Sequence, residues 1–447
     1  MSKIHDSEVK SARLPKEFIN KLSNPLSRFL HIEAIGGLIL LFSTIVALII
    51  SNSPWANGFS QIWETKLGVH ISSYDFSKSI KEWINDGLMT LFFFIISLEL
   101  KRYFAFGGVA KFREGMFATL AAFGGMLVPV IIYIILLQGR SEISSWATVM
   151  VTDTAFVVGA LGILGSRINN SLRIFLLSLA IVDDVCSILV VTFFYSHRLY
   201  WLIIILAISV LIIIRLMTIT GVRDLKIYLV IGCIIWILFD ASGIHATIAG
   251  VILGLMTPSR RWVDDTRLYN ILNNVTSHPT NKENSYDTKD RHTLYMAEIA
   301  IRESLSPIER LIVTLHPWVN FVILPLFILA NASITLSFEN INSYLIFSIF
   351  IAFALGKPIG VLLFSWLAVV TKIAKFPADL NWGLLTGGAI LAGAGFTMAL
   401  FIANLASQEQ FMNSIKIAIL LASSFSIIFG LLYLTIYSHI RNQKLKD

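Results

Sequence analysis

Long apolar runs separated by short polar segments dominate the chain. A helix needs roughly 20 mostly apolar residues to cross a bilayer, and apolar runs recur from residue 32 to residue 438. The pattern predicts twelve membrane-spanning helices, near residues 32–51, 80–100, 115–138, 146–165, 172–196, 199–217, 225–239, 243–257, 310–330, 344–370, 382–406 and 412–438. We therefore expect an all-α polytopic membrane protein with a single transmembrane domain at 32–438.

Two connecting segments are long. Residues 52–79 contain an alternating stretch at Gly68–Tyr74, which predicts a small β-hairpin in an external loop. Residues 258–306 are polar and predict a cytoplasmic loop, with a flexible stretch near 273–292 and a helical tail at Tyr295–Arg302. The terminal segments, 1–31 and 439–447, complete the predicted organisation.

The distribution of positive charge tests this topology. With a cytoplasmic N-terminus, 28 of the 35 Lys and Arg residues fall on the cytoplasmic side. Membrane proteins keep Lys and Arg on that side, so the alternation supports twelve spans with both termini in the cytoplasm. The net charge of +7 then describes topology and does not indicate a nucleic-acid partner.

The composition narrows the class of protein. Hydrophobic residues make up 56% of the chain and charged residues only 14%, against about a quarter charged in soluble proteins. These values exclude a soluble enzyme, a nucleic-acid binder and a disordered protein. Cys186 and Cys233 are the only cysteines, so no disulfide framework or zinc pattern exists. No nucleotide-binding G-x-x-x-x-G-K-[ST] motif occurs, and no cofactor is expected.

Four ionisable residues lie in the middle of predicted spans, where a charge costs about 3 kcal/mol on insertion scales. Asp183 and Asp184 are adjacent in the fifth span. Two close carboxylates repel each other, so the pair can hold a proton or a small hard cation, but not both well. The alternative is a pair that only bonds neighbouring helices.

Asp153 and Lys357 are the other two. Polar residues around Asp153 predict a discontinuous fourth span, whose positive half-helix ends suit an acid; a plain helix–helix hydrogen bond is the alternative. Lys357 lies in a tenth span that Gly356, Pro358 and Gly360 loosen. It needs an acid or carbonyl groups opposite it, unless its side chain extends to the membrane interface.

A second interruption, Gly393-Ala-Gly-Phe-Thr-Met, lies in the eleventh span. It predicts another broken helix, although small residues also serve close helix packing. Interruptions in the fourth and eleventh spans indicate inverted-topology repeats, with spans 3–5 related to spans 10–12 and a binding site near the midplane. The acids of the first repeat and Lys357 of the second are expected to meet where the broken helices cross.

Four further residues are weaker candidates. Asp86 lies near the outer end of the second span, and Glu99 lies near its inner end, where an interfacial ion pair is the alternative. His245 opens the eighth span and is otherwise an interfacial histidine. His316 lies near the cytoplasmic start of the ninth span.

Six motifs, spread from about residue 30 to residue 438, resemble NhaA-type bacterial Na⁺/H⁺ antiporters. They are Trp83-Ile-Asn-Asp-Gly-Leu-Met, Thr152-Asp-Thr-Ala-Phe, Ala180-Ile-Val-Asp-Asp-Val, Gly243-Ile-His-Ala-Thr-Ile-Ala-Gly, Gly356-Lys-Pro-Ile-Gly and Gly395-Phe-Thr-Met. NhaA is itself an established example of inverted-topology repeats, so the repeat interpretation and the resemblance are not independent.

The resemblance implies a role for each candidate. Asp184 matches the principal cation-binding and proton-carrying carboxylate, and Asp183 matches its neighbour, which is linked to Lys357. Asp153 and Lys357 match groups that compensate the facing half-helix ends. Thr152 and Thr397 are expected to line the site, Asp86 is a structural candidate, and the pH-response candidates are Glu99, His245 and His316.

The resemblance also implies an activity and a setting. Family members exchange internal Na⁺ or Li⁺ for external protons, move more protons than cations, and serve sodium and pH homeostasis. They are typically homodimers in the bacterial cytoplasmic membrane, with a β-hairpin from the first external loop. A passive cation channel or a differently coupled cation transporter is the alternative. An intramembrane aspartyl protease is disfavoured, since Gly-x-Gly-Asp is absent.

The chain departs from the usual pattern at the expected pH-sensing cluster. Tyr103 stands where an acid is expected one turn after Glu99, and Ile312-Val313 replaces an acid–histidine pair. The pH of activation therefore does not follow from the resemblance, whereas the residues of the ion chemistry are intact.

Overall fold

The computed structural model is mostly helical. It describes residues 25–71, 74–106, 108–164, 170–195, 199–220, 225–259, 263–276, 288–332, 341–377 and 379–444. The elements, in chain order, are α1 (Pro25–Ser51), α2 (Ala56–Glu64), β1 (Lys66–Ile71), β2 (Tyr74–Ser79), α3 (Ile80–Glu82, a π-helical turn at Trp83–Leu88, then Met89–Phe106), α4 (Gly108–Leu136), the 3₁₀ helix α5 (Ser141–Val149), α6 (Thr154–Leu164), α7 (Asn170–Tyr195), α8 (Trp201–Thr220), α9 (Leu225–Ser242), α10 (Ile248–Met256), α11 (Asp265–Thr276), α12 (Thr288–Ser304), α13 (Pro307–Asn331), α14 (Ser343–Val370), α15 (Trp382–Leu391), α16 (Phe396–Ala406) and α17 (Glu409–Lys444).

Helices, whole or broken, lie at all twelve positions that the apolar runs predict. Seven described helices are long and apolar enough to cross a membrane, and the number rises to ten if each of three bent helix pairs is one span. The remaining apolar helices are shorter, with nine residues in α10. The fold is therefore that of a multi-pass membrane protein, and the count of twelve spans stays a prediction.

The two long connections contain more regular structure than the apolar runs predict. In residues 52–79, β1 and β2 pair antiparallel, with Lys66 opposite Ser79. This segment also contains α2, whose axis is turned by 114° from that of α1. With nine residues, α2 is too short to cross a membrane by itself. In residues 258–306, α11 and α12 overlap the ends of the stretch predicted to be flexible, and 277–287 lies outside the described residues. We call the end of the molecule with β1 and β2 the hairpin side, and the end with α11 and α12 the loop side.

Glycines hold two helix pairs backbone to backbone. A Cβ atom on Gly124 of α4 would lie 2.2 Å from the carbonyl oxygen of Gly360 in α14, and one on Gly37 of α1 would lie 2.4 Å from the Cα atom of Gly159 in α6. Small residues allow helices in membranes to approach this closely. These glycine contacts hold α14, the helix that carries Lys357, against α4, and they hold the half-helix α6 against α1.

Both interruptions predicted from sequence are breaks in the structure. Residues 150–153 separate α5 from α6 with a bend of 49°, and residues 392–395 separate α15 from α16 with a bend of 48°. The two breaks touch, because the backbone N–H of Asp153 donates to the carbonyl oxygen of Ala394 at 2.7 Å. This contact defines the centre around which the candidate site is built.

Candidate functional site

Asp153 joins the starts of two half-helices. The first N–H groups of a helix have no partner within the helix, and a carboxylate suits both their hydrogen-bonding need and the helix dipole. The Asp153 carboxylate accepts from the backbone N–H of Phe156 in α6 at 3.1 Å. It also accepts from the backbone N–H of Thr397 in α16 at 2.6 Å and from the Thr397 hydroxyl. One buried acid thus caps α6 and α16 together.

Lys357 and Asp183 form a buried ion pair. The Lys357 Nζ atom lies 2.8 Å from Oδ2 of Asp183, and neither side chain is exposed. Nζ also donates to the carbonyl oxygen of Met150 at 2.6 Å, at the break before α6. The Thr152 hydroxyl lies 2.6 Å from the same Asp183 oxygen and 3.1 Å from the carbonyl oxygen of Ala392. Because the Lys357 side chain is completely buried, the alternative that it extends to the membrane interface is disfavoured.

The Asp184 carboxylate has one side-chain partner where that of Asp183 has two, although the two residues are equally buried. Its Oδ2 atom accepts from the Thr154 hydroxyl at 3.0 Å. Within the described part of the chain, Oδ1 of Asp184 and Oδ1 of Asp183 have no hydrogen-bond partner. An unpartnered buried carboxylate oxygen is costly, so the arrangement favours binding of a proton or a cation and disfavours a purely structural pair.

A cavity leads toward this pair from the side of Glu99 and His316. Its lining combines small and apolar residues with a few polar ones: Gly36, Gly37, Phe92, Ile95, Ile96, Glu99, Thr154, Ala155, His316, Val319, Asn320 and Leu324. Glu99 and His316 lie toward the loop side, whereas Thr154 contacts Asp184. The cavity therefore extends from the neighbourhood of Glu99 and His316 to the residue that bonds Asp184.

The structure brings two of the pH-response candidates together. Nε2 of His316 lies 3.4 Å from Oε1 of Glu99. Nδ1 of His316 lies 3.1 Å from the side-chain amide of Asn320. At the departures from the family pattern, Ile312 is buried against an apolar cluster, whereas Val313 is 69% exposed. Neither supplies a titratable group beside the pair.

Comparisons with known proteins show the family of this chain. Residues 27–434 match the family model described as Na⁺/H⁺ antiporter 1. The chain belongs to this family. It is 49% identical over 432 residues to Na⁺/H⁺ antiporter NhaA 1 of Acidiphilium cryptum (strain JF-5), covering 97% of this chain and 96% of that protein. It is 47% identical over 425 residues to NhaA of Rhizobium meliloti (strain 1021), covering 95% and 97%.

The resemblance to NhaA antiporters is therefore confirmed across nearly the whole chain. A solved structure, that of the sodium proton antiporter MjNhaP1 from Methanocaldococcus jannaschii at pH 8, aligns with 92% of this chain and 97% of that one, at a TM-score of 0.48 and 13% identity. The named NhaA relatives are antiporters.

On the hairpin side, this antiporter-family chain holds a second cluster of charges. Nζ of Lys78 in β2 lies 2.8 Å from Asp86 in α3 and 2.5 Å from Asp240 in α9. Burial lowers the pKa of Lys78, but its hydrogen bonds to the two carboxylates outweigh burial and leave the pKa above the ordinary 10.5. His245 interacts electrostatically with Asp86. The cluster ties the hairpin to two helices and lies apart from the Asp183–Asp184 pair.

Three asparagines meet in the interior toward the hairpin side. Asn331, at the end of α13, is fully buried and exchanges hydrogen bonds of 2.7 and 3.2 Å with Asn85 of α3. Its side-chain oxygen also accepts from Asn404 of α16 at 2.9 Å. The amides thereby join the half-helix α16 to α3 and α13, at the opposite end from the cavity.

Two features of the site are not predicted from the sequence. Thr154 follows Asp153 directly and contacts Asp184, whereas Thr152 contacts Asp183. The third polar residue in Thr152-Asp-Thr is the available signal. Asn85, Asn331 and Asn404 lie in three separate spans, and nothing in their spacing indicates that they meet.

Proposed function

We propose that this protein is a secondary active, electrogenic antiporter that extrudes internal Na⁺, or Li⁺, in exchange for external protons. The observation that carries the proposal is the pair of buried, unpartnered Oδ1 atoms on Asp183 and Asp184. Deprotonated, these oxygens are ligands for a small hard cation; protonated, they are not. Competition of Na⁺ and H⁺ for the same carboxylates couples the two fluxes without a further energy source.

The surrounding groups divide the work. Na⁺ enters through the cavity past Glu99 and His316 and reaches Asp184 beside Thr154. Lys357 balances the charge of Asp183, so that the pair does not place two uncompensated carboxylates in the membrane. Asp153 holds the two half-helices at a fixed separation, which keeps the breaks, and with them the site, in one geometry.

The two ends of the molecule support alternating access. The cavity is lined by Thr154 together with Glu99 and His316, while the asparagine cluster joins three helices toward the other end. This arrangement fits a state open to the cytoplasm, if the loop side is cytoplasmic as the positive charges predict. We further propose that α4–α7 and α14–α17 are inverted repeats whose motion against the remaining helices opens the hairpin side.

The setting follows the family and remains part of the proposal. The protein is placed in the bacterial inner membrane with both termini cytoplasmic, serves sodium and pH homeostasis, and forms a homodimer that involves the β1–β2 hairpin. Glu99, His316 and His245 are proposed to shape the response to pH.

The experiment uses everted membrane vesicles that carry an imposed proton gradient. Addition of Na⁺ should collapse the gradient through the wild-type protein, and Asp184→Asn should abolish the effect at equal expression. Normal exchange by Asp184→Asn would refute the assigned site. A passive cation channel would conduct Na⁺ without dissipating the proton gradient in proportion to Na⁺ movement.

A further inference from the structure

We propose that the Thr154 hydroxyl is a ligand for the transported cation and determines the preference between Na⁺ and Li⁺. This inference rests on the proposed function and assigns one more residue to the same site. Thr154 lines the cavity, and its hydroxyl lies 3.0 Å from Oδ2 of Asp184. Of the polar residues in this lining, it is the one whose side chain hydrogen-bonds Asp184.

The neighbouring Thr152 does not occupy such a position. Its side chain is fully buried, and its oxygen lies within hydrogen-bond distance of both Asp183 and the carbonyl oxygen of Ala392. It is also absent from the cavity lining, within the described part of the chain. Thr152 thus belongs to the ion-paired side of the site, with Asp183 and Lys357, whereas Thr154 belongs to the side that an ion enters.

The hydroxyl has the chemistry that a cation ligand needs. A hydroxyl carries one donor and two acceptor lone pairs, so Thr154 can donate to Asp184 and still present oxygen to an ion. Beside it, Oδ1 of Asp184 is buried without a partner in the described residues. A partly dehydrated cation requires several oxygen ligands, and their number and field strength set the selectivity between ions. A carboxylate oxygen and a hydroxyl together supply one charged and one neutral ligand.

A purely structural role for Thr154 is already covered by another residue. Thr154 is the first residue of α6, where a hydroxyl can cap free N–H groups, but the Asp153 carboxylate bonds the N–H of Phe156 in that turn. The Thr154 hydroxyl is instead directed across to α7, onto Asp184. A residue that only stabilised α6 would affect folding and leave ion preference unchanged.

The test compares Thr154→Val, which removes the hydroxyl at nearly equal volume, with Thr154→Ser, which keeps it. Purified protein in proteoliposomes is assayed at one fixed alkaline pH for the apparent KM and the maximal rate with Na⁺ and with Li⁺. Thr154→Val should raise the KM for Na⁺ roughly tenfold, the scale of one lost contact to a charged group. The KM for Li⁺ should rise less, because the smaller ion completes its shell with fewer oxygens.

Thr154→Ser should restore both KM values to within about twofold of wild type. The matched control is Thr119→Val. Among the described residues, the Thr119 hydroxyl bonds only the carbonyl oxygen of Gly115 in its own helix, at 2.9 Å, and it takes no part in the site. If Thr154→Val does not fold, the Thr154→Ala and Thr154→Ser pair gives the same comparison of hydroxyl absent and present.

An unchanged ratio of Na⁺ to Li⁺ KM in the variant without the hydroxyl would overturn the inference, as would a Ser variant that behaves like Val. The Asp184→Asn variant distinguishes failure of the Thr154 inference from failure of the proposed function. An inactive Asp184→Asn with an unaffected Thr154→Val removes Thr154 alone from the ligand set, whereas an active Asp184→Asn refutes the cation site itself.

Discussion

The Asp183–Lys357 ion pair allows the sharpest prediction about stability. Lys357→Met removes the cation and leaves Asp183 buried. In the part of the chain that the structure describes, the Thr152 hydroxyl is then the one remaining donor to Oδ2 of Asp183. Two unit charges 2.8 Å apart attract by about 6 kcal/mol at an effective dielectric constant near 20. Desolvation cancels part of this attraction, and loss of one partner of a buried pair typically costs about 3–5 kcal/mol.

The assay is thermal unfolding of the purified proteins in one detergent. For a chain of this length, unfolding entropy scales to roughly 1 °C of melting temperature per kcal/mol, so Lys357→Met should melt about 3–5 °C below wild type. The double variant Asp183→Asn/Lys357→Met removes both charges of this pair, so that neither is left without its partner. Because a neutral replacement of a buried pair is often nearly neutral for stability, it should recover most of the loss.

The comparison of single and double variants isolates the coupling between the two side chains. Equal melting temperatures for wild type and Lys357→Met would show that the pair carries no net stabilisation. A double variant whose loss is the sum of two single losses would contradict the reasoning just as directly, since it would show that Asp183 and Lys357 act independently.

Three further predictions concern other parts of the fold. Asp153→Ala should cost about 1–2 kcal/mol for each half-helix it caps and lower both melting temperature and exchange rate; an unaffected melting temperature would exclude the double cap. Gly124→Val should abolish folded protein in size-exclusion chromatography, because its Cβ atom would lie 2.2 Å from the Gly360 carbonyl oxygen, whereas Gly58→Ala, with no atom within 4 Å, should be neutral. Lys78→Met should lower the melting temperature by the same amount from about pH 7 to about pH 9. Its folded pKa lies above 10.5, so its contribution is complete below that pH and is lost only as the pH rises through the raised value; a difference that vanishes near neutral pH would contradict this.

The sequence predicts the position of the site better than its contacts. Asp153, Asp183, Asp184 and Lys357 are recognisable because bilayer-length apolar runs make any charge within them expensive. Breaks in the fourth and eleventh spans are recognisable because Gly and polar residues interrupt those runs. That Lys357 pairs with Asp183 and not with Asp184 is implied by the family resemblance alone. No helical period encodes it, because it depends on how α14 and α7 are placed across the breaks.

Sequence patterns do not predict which distant segments of the chain come into contact. Lys78 lies in the predicted external loop 52–79, and Asp240 lies 162 residues further along the chain. Only the fold brings their side chains to 2.5 Å. The asparagine cluster cannot be predicted from the sequence either, because a single Asn residue in a span has many possible partners. One of the two roles of Asp153 can be predicted from the sequence, because the residue lies directly before α6, whose N-terminus it caps. Its bond to Thr397 cannot, because that bond requires two broken helices to cross.

The central claim is that Na⁺ and H⁺ compete for one buried carboxylate site. It is tested most directly by adding Na⁺ to purified protein in weakly buffered detergent solution and measuring proton release. We predict that Na⁺ releases protons from the wild-type protein and that Asp184→Asn releases none. Na⁺ binding to the wild type without release of protons would contradict the account.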